Sequence, residues 1–274
     1  MKILRHRLCD DEGAALPFES TSNRGGKLTP EYLVLHYTAG RDADSAIRWF
    51  QHPDAKASAH VIVAKDGRVT QMVPFDRIAW HAGVSHWEDR VGLNAYSIGI
   101  ELDNPGKLRR RGSRWYSWFE QAYDPEAVIE AVHREESESA GWHVYTPKQI
   151  DAAFDLAFVL MNKYGLKDIL GHEDIAPGRK TDPGPAFPMA SFRSRLLGRR
   201  DDHERGYITT TNLNIRTGPG IENPTLAVSP LPQGTRVEFI QARGNWFMVD
   251  VQGSNWENDI QGWVFSKYLR SAEH

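Results

Sequence analysis

The sequence predicts an α/β (α+β) domain with a central mixed β-sheet flanked by helices, followed by a small all-β barrel. Short apolar runs typical of buried strands alternate with helix signals up to about residue 190, whereas only short strand-like runs separated by Gly, Pro and Asn follow residue 207. The length of 274 residues also exceeds that of a typical single domain. We therefore expect domains at residues 1–200 and 207–274, with a helical insertion at about 107–141 and a charged linker between the domains.

The composition is that of an ordinary globular protein, with 40% hydrophobic and 25% charged residues. A net charge of −3 argues against nucleic acid or an anionic membrane as a partner. Cys9 is the single cysteine, so an internal disulfide is excluded. The sequence shows no signal-peptide core and no membrane span, which favours a cytoplasmic location, with release by lysis or a non-Sec route still open.

The first strong element is the apolar run Tyr32–Tyr37, which is typical of a strand buried on both faces. His36 lies near the end of this strand, immediately before a Thr-Ala-Gly turn. A helix capped by Asp42 or Asp44 should follow, because apolar side chains recur at helical spacing on one face: Ala43, Ile47 and Phe50.

Two further apolar runs, residues 59–63 and 69–73, flank an Asp-Gly pair at Asp66 and Gly67. An Asp-Gly pair between apolar runs is a strong hairpin signal. We therefore expect two paired antiparallel strands in this part of the chain.

The run Ser97–Leu102 alternates along its length and predicts another strand. Glu101 lies on the face opposite to Ile98, Ile100 and Leu102. A carboxylate is unexpected on so apolar a strand, since burying an unpaired charge costs free energy. From this stretch alone, Glu101 either forms an ion pair with an Arg at the sheet surface or has a chemical role.

Two helices are expected before residue 166. Residues 124–126, Asp-Pro-Glu, open the first, which should run through the insertion to about Ser137. Thr146 and Gln149 form a capping box for the second, which should end at Gly165. Its buried stripe is predicted to contain Ile150, Phe154, Phe158 and Met161.

Residues 171–184 carry His172, Lys180 and Asp182 in one stretch punctuated by Gly and Pro. Such a loop has a fixed shape without being a helix or a strand. Folded back on itself, it can bring an imidazole and a carboxylate to one point with a cation beside them, as a metal site requires. A solvated surface loop with charged residues is the alternative.

Five motifs in order carry a family resemblance: LVLHYTAG, SAHVIVAKDGRV, AWHAG, SIGIEL and GHEDIAPGRKTDPG. Together they resemble the zinc amidase family that includes bacterial N-acetylmuramoyl-L-alanine amidases and animal peptidoglycan recognition proteins. The resemblance covers about residues 28–192, and it is strongest to the branch that cleaves muropeptides bearing anhydromuramic acid and to its relatives that act on intact wall. The tail, about residues 207–270, is similar to bacterial SH3-like modules.

The resemblance implies a zinc ion held by His36, His172 and Asp182, with the fourth tetrahedral position open. It implies that Glu101 is the acid/base residue and that Lys180 faces the developing oxyanion. The expected activity is zinc-dependent hydrolysis of the amide between the N-acetylmuramoyl or anhydromuramoyl group and L-alanine in peptidoglycan or muropeptides. The alternatives are a recognition protein that binds peptidoglycan without cutting it, and a purely structural zinc.

Several nearby residues remain to be placed. His60 is interpreted as a hydrogen-bonded structural histidine, whereas Trp80 and His81 are predicted to line the substrate groove. Asn94 either contacts the substrate peptide or closes a turn. The aromatic side chains of the insertion either form a groove wall for sugar rings or anchor the insertion: Trp115, Trp118 and Phe119.

The sequence leaves the physiological substrate open between soluble anhydromuropeptides and polymeric wall. The SH3-like tail favours polymer, and it is predicted either to bind the wall or to dock beside the groove without supplying a catalytic residue. The sequence gives no prediction of oligomeric state.

Overall fold

The computed structural model describes residues 1–197, 206–243, 245–252 and 260–272. The chain divides into two units: Met1–Gly106 with Tyr145–Pro183, and Lys107–Val144 with Gly184–His274. The insertion is therefore grouped with the C-terminal residues, whereas the sequence prediction placed it in the first domain. The predicted charged linker falls largely at residues 198–205, outside the described residues.

The first unit contains the following strands and helices: β1 (Lys2–Leu4), β2 (Arg7–Cys9), β3 (Arg24–Lys27), β4 (Tyr32–Tyr37), α1 (Ala43–Gln51), β5 (Val61–Val63), β6 (Val69–Gln71), β7 (Arg77–Ala79), β8 (His86–Trp87), β9 (Arg90–Val91), β10 (Ser97–Leu102), and, after the insertion, α2 (Pro147–Tyr164), β16 (Asp168–Gly171) and α3 (His172–Ile175). The strands between β10 and β16 in chain order belong to the insertion and are described with the second unit.

A five-stranded mixed sheet forms the centre of this unit, in the order β16-β4-β10-β5-β6. β4 pairs in parallel with both β16 and β10, β10 pairs in parallel with β5, and β5 and β6 form the predicted antiparallel hairpin. The register places Glu101 of β10 opposite His36 of β4. Glu101 and His36 therefore lie side by side on adjacent central strands, near the carboxyl end of each strand.

Helix α1 follows the prediction closely. The Asp42 side chain accepts a hydrogen bond from the Ser45 amide at 2.6 Å, so Asp42 rather than Asp44 is the N-cap. The buried face contains Ala43, Ala46, Ile47 and Phe50. These side chains pack with residues of β5 and of the loop after β6 in one apolar cluster.

Helix α2 begins after Thr146 and ends at Gly165, as predicted, but its buried stripe differs from the prediction. The buried apolar side chains are Ala153, Leu156, Ala157 and Leu160, and Phe158 is exposed. This i, i+3, i+4, i+7 set is the neighbouring stripe of the same helix. The Gln149 side chain does not complete a capping box; its Nε2 atom donates to the carbonyls of Val63 and Asp103, at the ends of β5 and β10.

The second unit consists mainly of strands, with one further helix: β11 (Lys107–Arg111), β12 (Arg114–Tyr116), β13 (Ala122–Tyr123), β14 (Val128–Val132), β15 (Ser139–His143), α4 (Met189–Leu197), β17 (Tyr207–Thr209), β18 (Arg236–Arg243), β19 (Trp246–Gln252), β20 (Gln261–Phe265) and β21 (Leu269–Ser271). The strands join in one sheet, ordered β13-β12-β11-β15-β14-β21-β17-β18-β19-β20. Of the short strand-like runs after residue 207, the one at residues 209–216 was predicted to be a strand throughout. This prediction is wrong beyond Thr209, where the chain makes only isolated bridges.

The predicted helix of the insertion is also wrong. A single 3-10 turn at Pro125–Ala127 leads directly into β14. The apolar, β-branched run of β14 buries three of its five side chains and pairs along its whole length with β15, which outweighs the local helix-start signal. Trp115 is buried in the core cluster of the insertion, so it anchors this segment, whereas Trp118 is exposed.

No helix within the described part of the chain is both long enough and apolar enough to cross a membrane.

Candidate metal centre

The ends of β4 and β10 supply the first two side chains of the site. β4 is buried on both faces, which carries the imidazole of His36 into the interior. All six residues of β10 are buried as well, including Glu101, whose side chain is 8% exposed. Parallel pairing between these strands holds both side chains at the edge of one cavity.

The segment after β16 supplies the other side chains. It was predicted to contain no helix, but His172 is the first residue of the one-turn helix α3, which is held by a hydrogen bond from the Gly171 amide to the Asp174 carboxylate at 2.7 Å. The chain then folds back, and the Glu173 amide donates to the Asp182 carbonyl at 2.9 Å. This return brings Asp182 beside His172.

His36, His172 and Asp182 converge on one point. Nδ1 of His36 lies 2.9 Å from Nδ1 of His172 and 3.0 Å from Oδ2 of Asp182, and the third separation, from His172 Nδ1 to Asp182 Oδ2, is 2.9 Å. All three side chains are buried. Among the described residues, this is the one group of three or more His, Cys, Asp or Glu side chains close enough to share a metal ion.

The residues present fit a zinc ion. Tetrahedral zinc with Zn–N and Zn–O distances of about 2.0–2.2 Å separates its ligand atoms by roughly 3.3 Å, close to the observed spacing. Two imidazoles and a carboxylate are also ligands that zinc accepts. Three protein ligands leave a fourth position, which is typical of a catalytic rather than a structural zinc.

The protonation states suit metal binding. Burial lowers the pKa of His36 to about 4; the neighbouring His172 adds to this shift and the Asp182 carboxylate opposes it. Burial alone would raise the pKa of Asp182, but the adjacent imidazoles of His172 and His36 outweigh burial and hold this pKa well below its usual range. At neutral pH, His36 is therefore uncharged and Asp182 is ionised, as metal ligands must be.

Glu101 lies in a different electrostatic environment. Burial raises the pKa of Glu101 to about 8; the charge of Asp182 adds to this shift and Lys180 opposes it. Its Oε2 atom is buried and has no hydrogen-bond partner within the described ranges. Within the described part of the chain, Glu101 forms no ion pair with an Arg, which was the alternative considered from the sequence. A buried carboxyl with an unused oxygen facing a cavity is suited to proton transfer.

The cavity has a volume of about 370 Å³, and its lining includes His36, Glu101, His172 and Asp182 together with Lys180. Trp49 was missed by the sequence analysis: it lies on the outer face of α1, is 54% exposed and also lines the cavity. An exposed Trp on an otherwise polar helix face is the signal that could have identified it. Larger cavities in the second unit contain no comparable group of ligating side chains among the described residues.

The remaining predicted site residues separate into two groups. Trp80 and His81 line the cavity, although His81 is buried. Asn94 is not among the lining residues, and its Oδ1 atom accepts hydrogen bonds from the amides of His81 and Ala82, which favours the turn-closing alternative. His60 is confirmed as a structural histidine, since it accepts from the Gly99 amide and donates to the Arg77 carbonyl.

Two solved structures illustrate what the chain is similar to. A crystal structure of a selenomethionine AmpD derivative is 25% identical, with a TM-score of 0.48, covering 72% of this chain and 99% of that one. The amidase AmiD from E. coli, solved in complex with the substrate anhydro-N-acetylmuramic acid-L-Ala-D-gamma-Glu-L-Lys, is 32% identical with a TM-score of 0.47. This second match covers 61% of this chain and 57% of that one.

Two curated relatives are similar in sequence. The chain is 34% identical over 182 residues to the N-acetylmuramoyl-L-alanine amidase AmiD of Escherichia coli (strain K12), covering 63% of this chain and only 55% of AmiD. It is 38% identical over 184 residues to the 1,6-anhydro-N-acetylmuramyl-L-alanine amidase AmpD of the same organism, covering 67% of this chain and 82% of AmpD. The N-acetylmuramoyl-L-alanine amidase family model, Amidase_2, matches residues 26–185, a segment that contains the whole metal centre. Since this match spans more than half of the 274 residues, the chain belongs to the N-acetylmuramoyl-L-alanine amidase family.

Proposed function

We propose that the chain is a zinc-dependent amidase that hydrolyses the bond between an N-acetylmuramoyl or anhydromuramoyl group and L-alanine. The observation that carries this proposal is that a buried His-His-Asp triangle and the Glu101 carboxyl line one cavity, with the Oε2 atom of Glu101 lacking a hydrogen-bond partner among the described residues. A recognition protein that only binds peptidoglycan would need neither a complete ligand set nor a buried acid. Family membership supports the same reaction class.

When bound, zinc supplies Lewis-acid polarisation of the amide carbonyl and activation of water near neutral pH. Glu101 accepts the proton of the attacking water and returns it to the leaving L-alanine nitrogen; one carboxyl can do both once its pKa, raised by burial to about 8, is brought close to neutral. A cation at the triangle would act on Glu101 in the same direction as Lys180 and lower this pKa toward neutral. The exposed face of Trp49 offers a surface on which a sugar ring can pack.

Lys180 lines the same cavity, two residues before the ligand Asp182, and we assign it to the negative oxygen that forms during attack. Lys180→Ala should lower kcat about 10²–10³-fold, the typical loss for an oxyanion donor, while zinc content stays unchanged. Steady-state kinetics with metal analysis tests this. Lys167→Ala is the matched control, because Lys167 forms its ion pair with Glu31 and does not line the cavity. A loss of zinc in Lys180→Ala would contradict the assignment.

For the natural substrate, we propose a muropeptide carrying anhydromuramic acid. AmpD is named as a 1,6-anhydro-N-acetylmuramyl-L-alanine amidase, and the structure of AmiD holds an anhydromuropeptide substrate. Purified anhydromuropeptide and intact sacculi should be digested in parallel by the zinc-loaded chain. Release of the stem peptide from neither substrate would overturn the proposed activity, and release from sacculi alone would overturn the assignment to anhydromuropeptides.

For the second unit, we propose an SH3-like module that binds the polymeric wall. A cavity of about 760 Å³ in this unit is lined by the aromatic side chains of Trp246, Phe265 and Tyr268. Amide and charged side chains lie among them, including Asn212, Asn214 and Glu222. Apolar walls with a few polar groups are typical of a ligand site.

Tyr268→Ala tests this module with little risk to the fold, since Tyr268 is 41% exposed. We expect binding to sacculi to weaken about tenfold, the scale of an interface aromatic, with unchanged turnover of soluble muropeptide. Trp118→Ala is the control, because Trp118 is an exposed aromatic of the same unit that does not line this cavity. Equal sedimentation of Tyr268→Ala and wild type with sacculi would show that the cavity is not a wall site.

A further inference from the structure

Residues 80–83 form a loop that contacts the outer nitrogen atoms of both ligating histidines. Nδ1 of His81 lies 2.9 Å from Nε2 of His36, and the two rings meet edge to face at 78°. The carbonyl oxygen of Ala82, the next residue, lies 3.0 Å from Nε2 of His172. Two consecutive residues of one loop therefore face the two nitrogen atoms that the metal triangle leaves unused.

The contact with Ala82 determines the tautomer of His172. A carbonyl oxygen can only accept a hydrogen bond, so Nε2 of His172 must carry the proton. In the neutral ring, Nδ1 then keeps its lone pair, and Nδ1 is the atom that faces His36 and Asp182.

A longer chain of hydrogen bonds determines the tautomer of His36. Nε2 of His81 lies 3.3 Å from the Ser97 carbonyl and 3.4 Å from Ser97 Oγ. Ser97 Oγ donates its own proton to the Leu93 carbonyl at 2.6 Å, so both Ser97 atoms are acceptors for His81. Nε2 of His81 must then be protonated, its Nδ1 is an acceptor, and Nε2 of His36 is the donor. The lone pair of His36 is therefore on Nδ1, facing the triangle.

Two further features hold this loop in place. Oδ1 of Asn94 accepts from the His81 amide at 2.9 Å and from the Ala82 amide at 2.7 Å. Gly99, on the same face of β10 as Glu101, leaves the space that the His81 ring fills, since a Cβ atom there would lie 2.4 Å from His81 Cγ. The strand that carries Glu101 is thus also shaped to admit His81.

We propose that residues 80–83, held by Asn94, set the tautomers of both metal-binding histidines, with His81 as the positioning residue for His36. This inference rests on the proposed metal site and deepens it. In this proposal, His81 and Asn94 position the metal-binding histidines and do not contact the substrate. An imidazole free to take the other tautomer would present an N–H group to the metal, and losing a partner of this kind typically costs about 10–100-fold in metal affinity.

The experiment measures zinc affinity by competition with a chromogenic chelator, together with the visible spectrum of the Co²⁺-loaded protein. His81→Leu removes the acceptor for His36, and Asn94→Leu removes the acceptor that holds the loop. Both should bind zinc about 10–100-fold more weakly and show an altered Co²⁺ spectrum. Asn94→Asp keeps the accepting oxygen and should restore most of the affinity.

His60→Leu is the matched control. His60 is buried like His81 and lies beside it, with ring centroids 5.9 Å apart, but its hydrogen bonds go to Gly99 and Arg77. Its zinc affinity should equal that of the wild type. Wild-type affinity in both His81→Leu and Asn94→Leu, or an equal loss in His60→Leu, would overturn the proposal.

If the leucine variants do not fold, nitrogen-15 NMR of the metal-free wild type decides the question. His36 and His172 should both carry their proton on Nε2, and a proton on Nδ1 of either ring would overturn the proposal. Failure of the proposed activity remains distinguishable, because a wild type that binds zinc tightly and cleaves no muropeptide would leave the tautomer assignment standing.

Discussion

The His172→Ala protein is expected to lose both its zinc and its amidase activity. Substituting a residue that hydrogen-bonds to a metal ligand typically lowers metal affinity about 10–100-fold. Removing a ligand itself should therefore weaken zinc binding by at least about 100-fold. The two remaining ligands, His36 and Asp182, cannot complete a three-ligand site. Elemental analysis of the purified protein, with a muropeptide assay in parallel, measures both effects.

His133→Gln is a suitable control for this variant, since His133 is a buried histidine of the other unit. It should keep one zinc per chain and wild-type activity. Full zinc occupancy in His172→Ala would show that the triangle of His36, His172 and Asp182 is not the zinc site.

Glu101→Gln should retain zinc and fold but lose about 10²–10⁴-fold in kcat, the range attributed to general acid/base catalysis. Glutamine has nearly the same shape as glutamate and cannot accept the water proton. The buried Oε2 atom of Glu101 accepts no hydrogen bond from the described residues that the substitution would break. Kinetics on anhydromuropeptide, with zinc analysis of the same sample, provides the measurement.

Asp103→Asn controls for the loss of a buried carboxyl. Asp103 lies two residues beyond Glu101, is also buried, has its pKa raised by burial, and does not line the cavity. Its turnover should be close to that of the wild type. A Glu101→Gln protein within tenfold of the wild-type rate would remove Glu101 from the proposed mechanism.

Local patterns predicted the elements around the site well. The apolar run Tyr32–Tyr37 and the alternating run Ser97–Leu102 became β4 and β10 because a buried strand is recognisable from its own residues. Asp42 was one of two predicted caps for α1, since capping depends on residues only three positions apart. The mixed sheet with flanking helices followed from these elements.

The same local reasoning failed where distant residues compete. Residues 124–126 resemble a helix start, yet β14 forms next to them because β15 offers a full set of pairing partners. On α2, two adjacent stripes were both apolar enough to be buried. Phe158 was assigned to the core, but the smaller Ala153 and Ala157 face the interior instead.

The sequence by itself predicted the central strands β4, β5, β6 and β10 and the starts of α1 and α2, because these depend on short-range spacing. The candidate ligands His36, His172 and Asp182 came from motifs shared with a family. Only the tertiary structure decided which residues hydrogen-bond to the outer nitrogen atoms of His36 and His172. His81 lines the cavity together with its neighbour Trp80, as predicted, but its ring also meets His36, 45 residues earlier, while the Ala82 carbonyl meets His172, 90 residues later. Contacts over such separations are set by the register of β4 against β10 and by the path of the loop held by Asn94, and neither leaves a periodic trace in the chain.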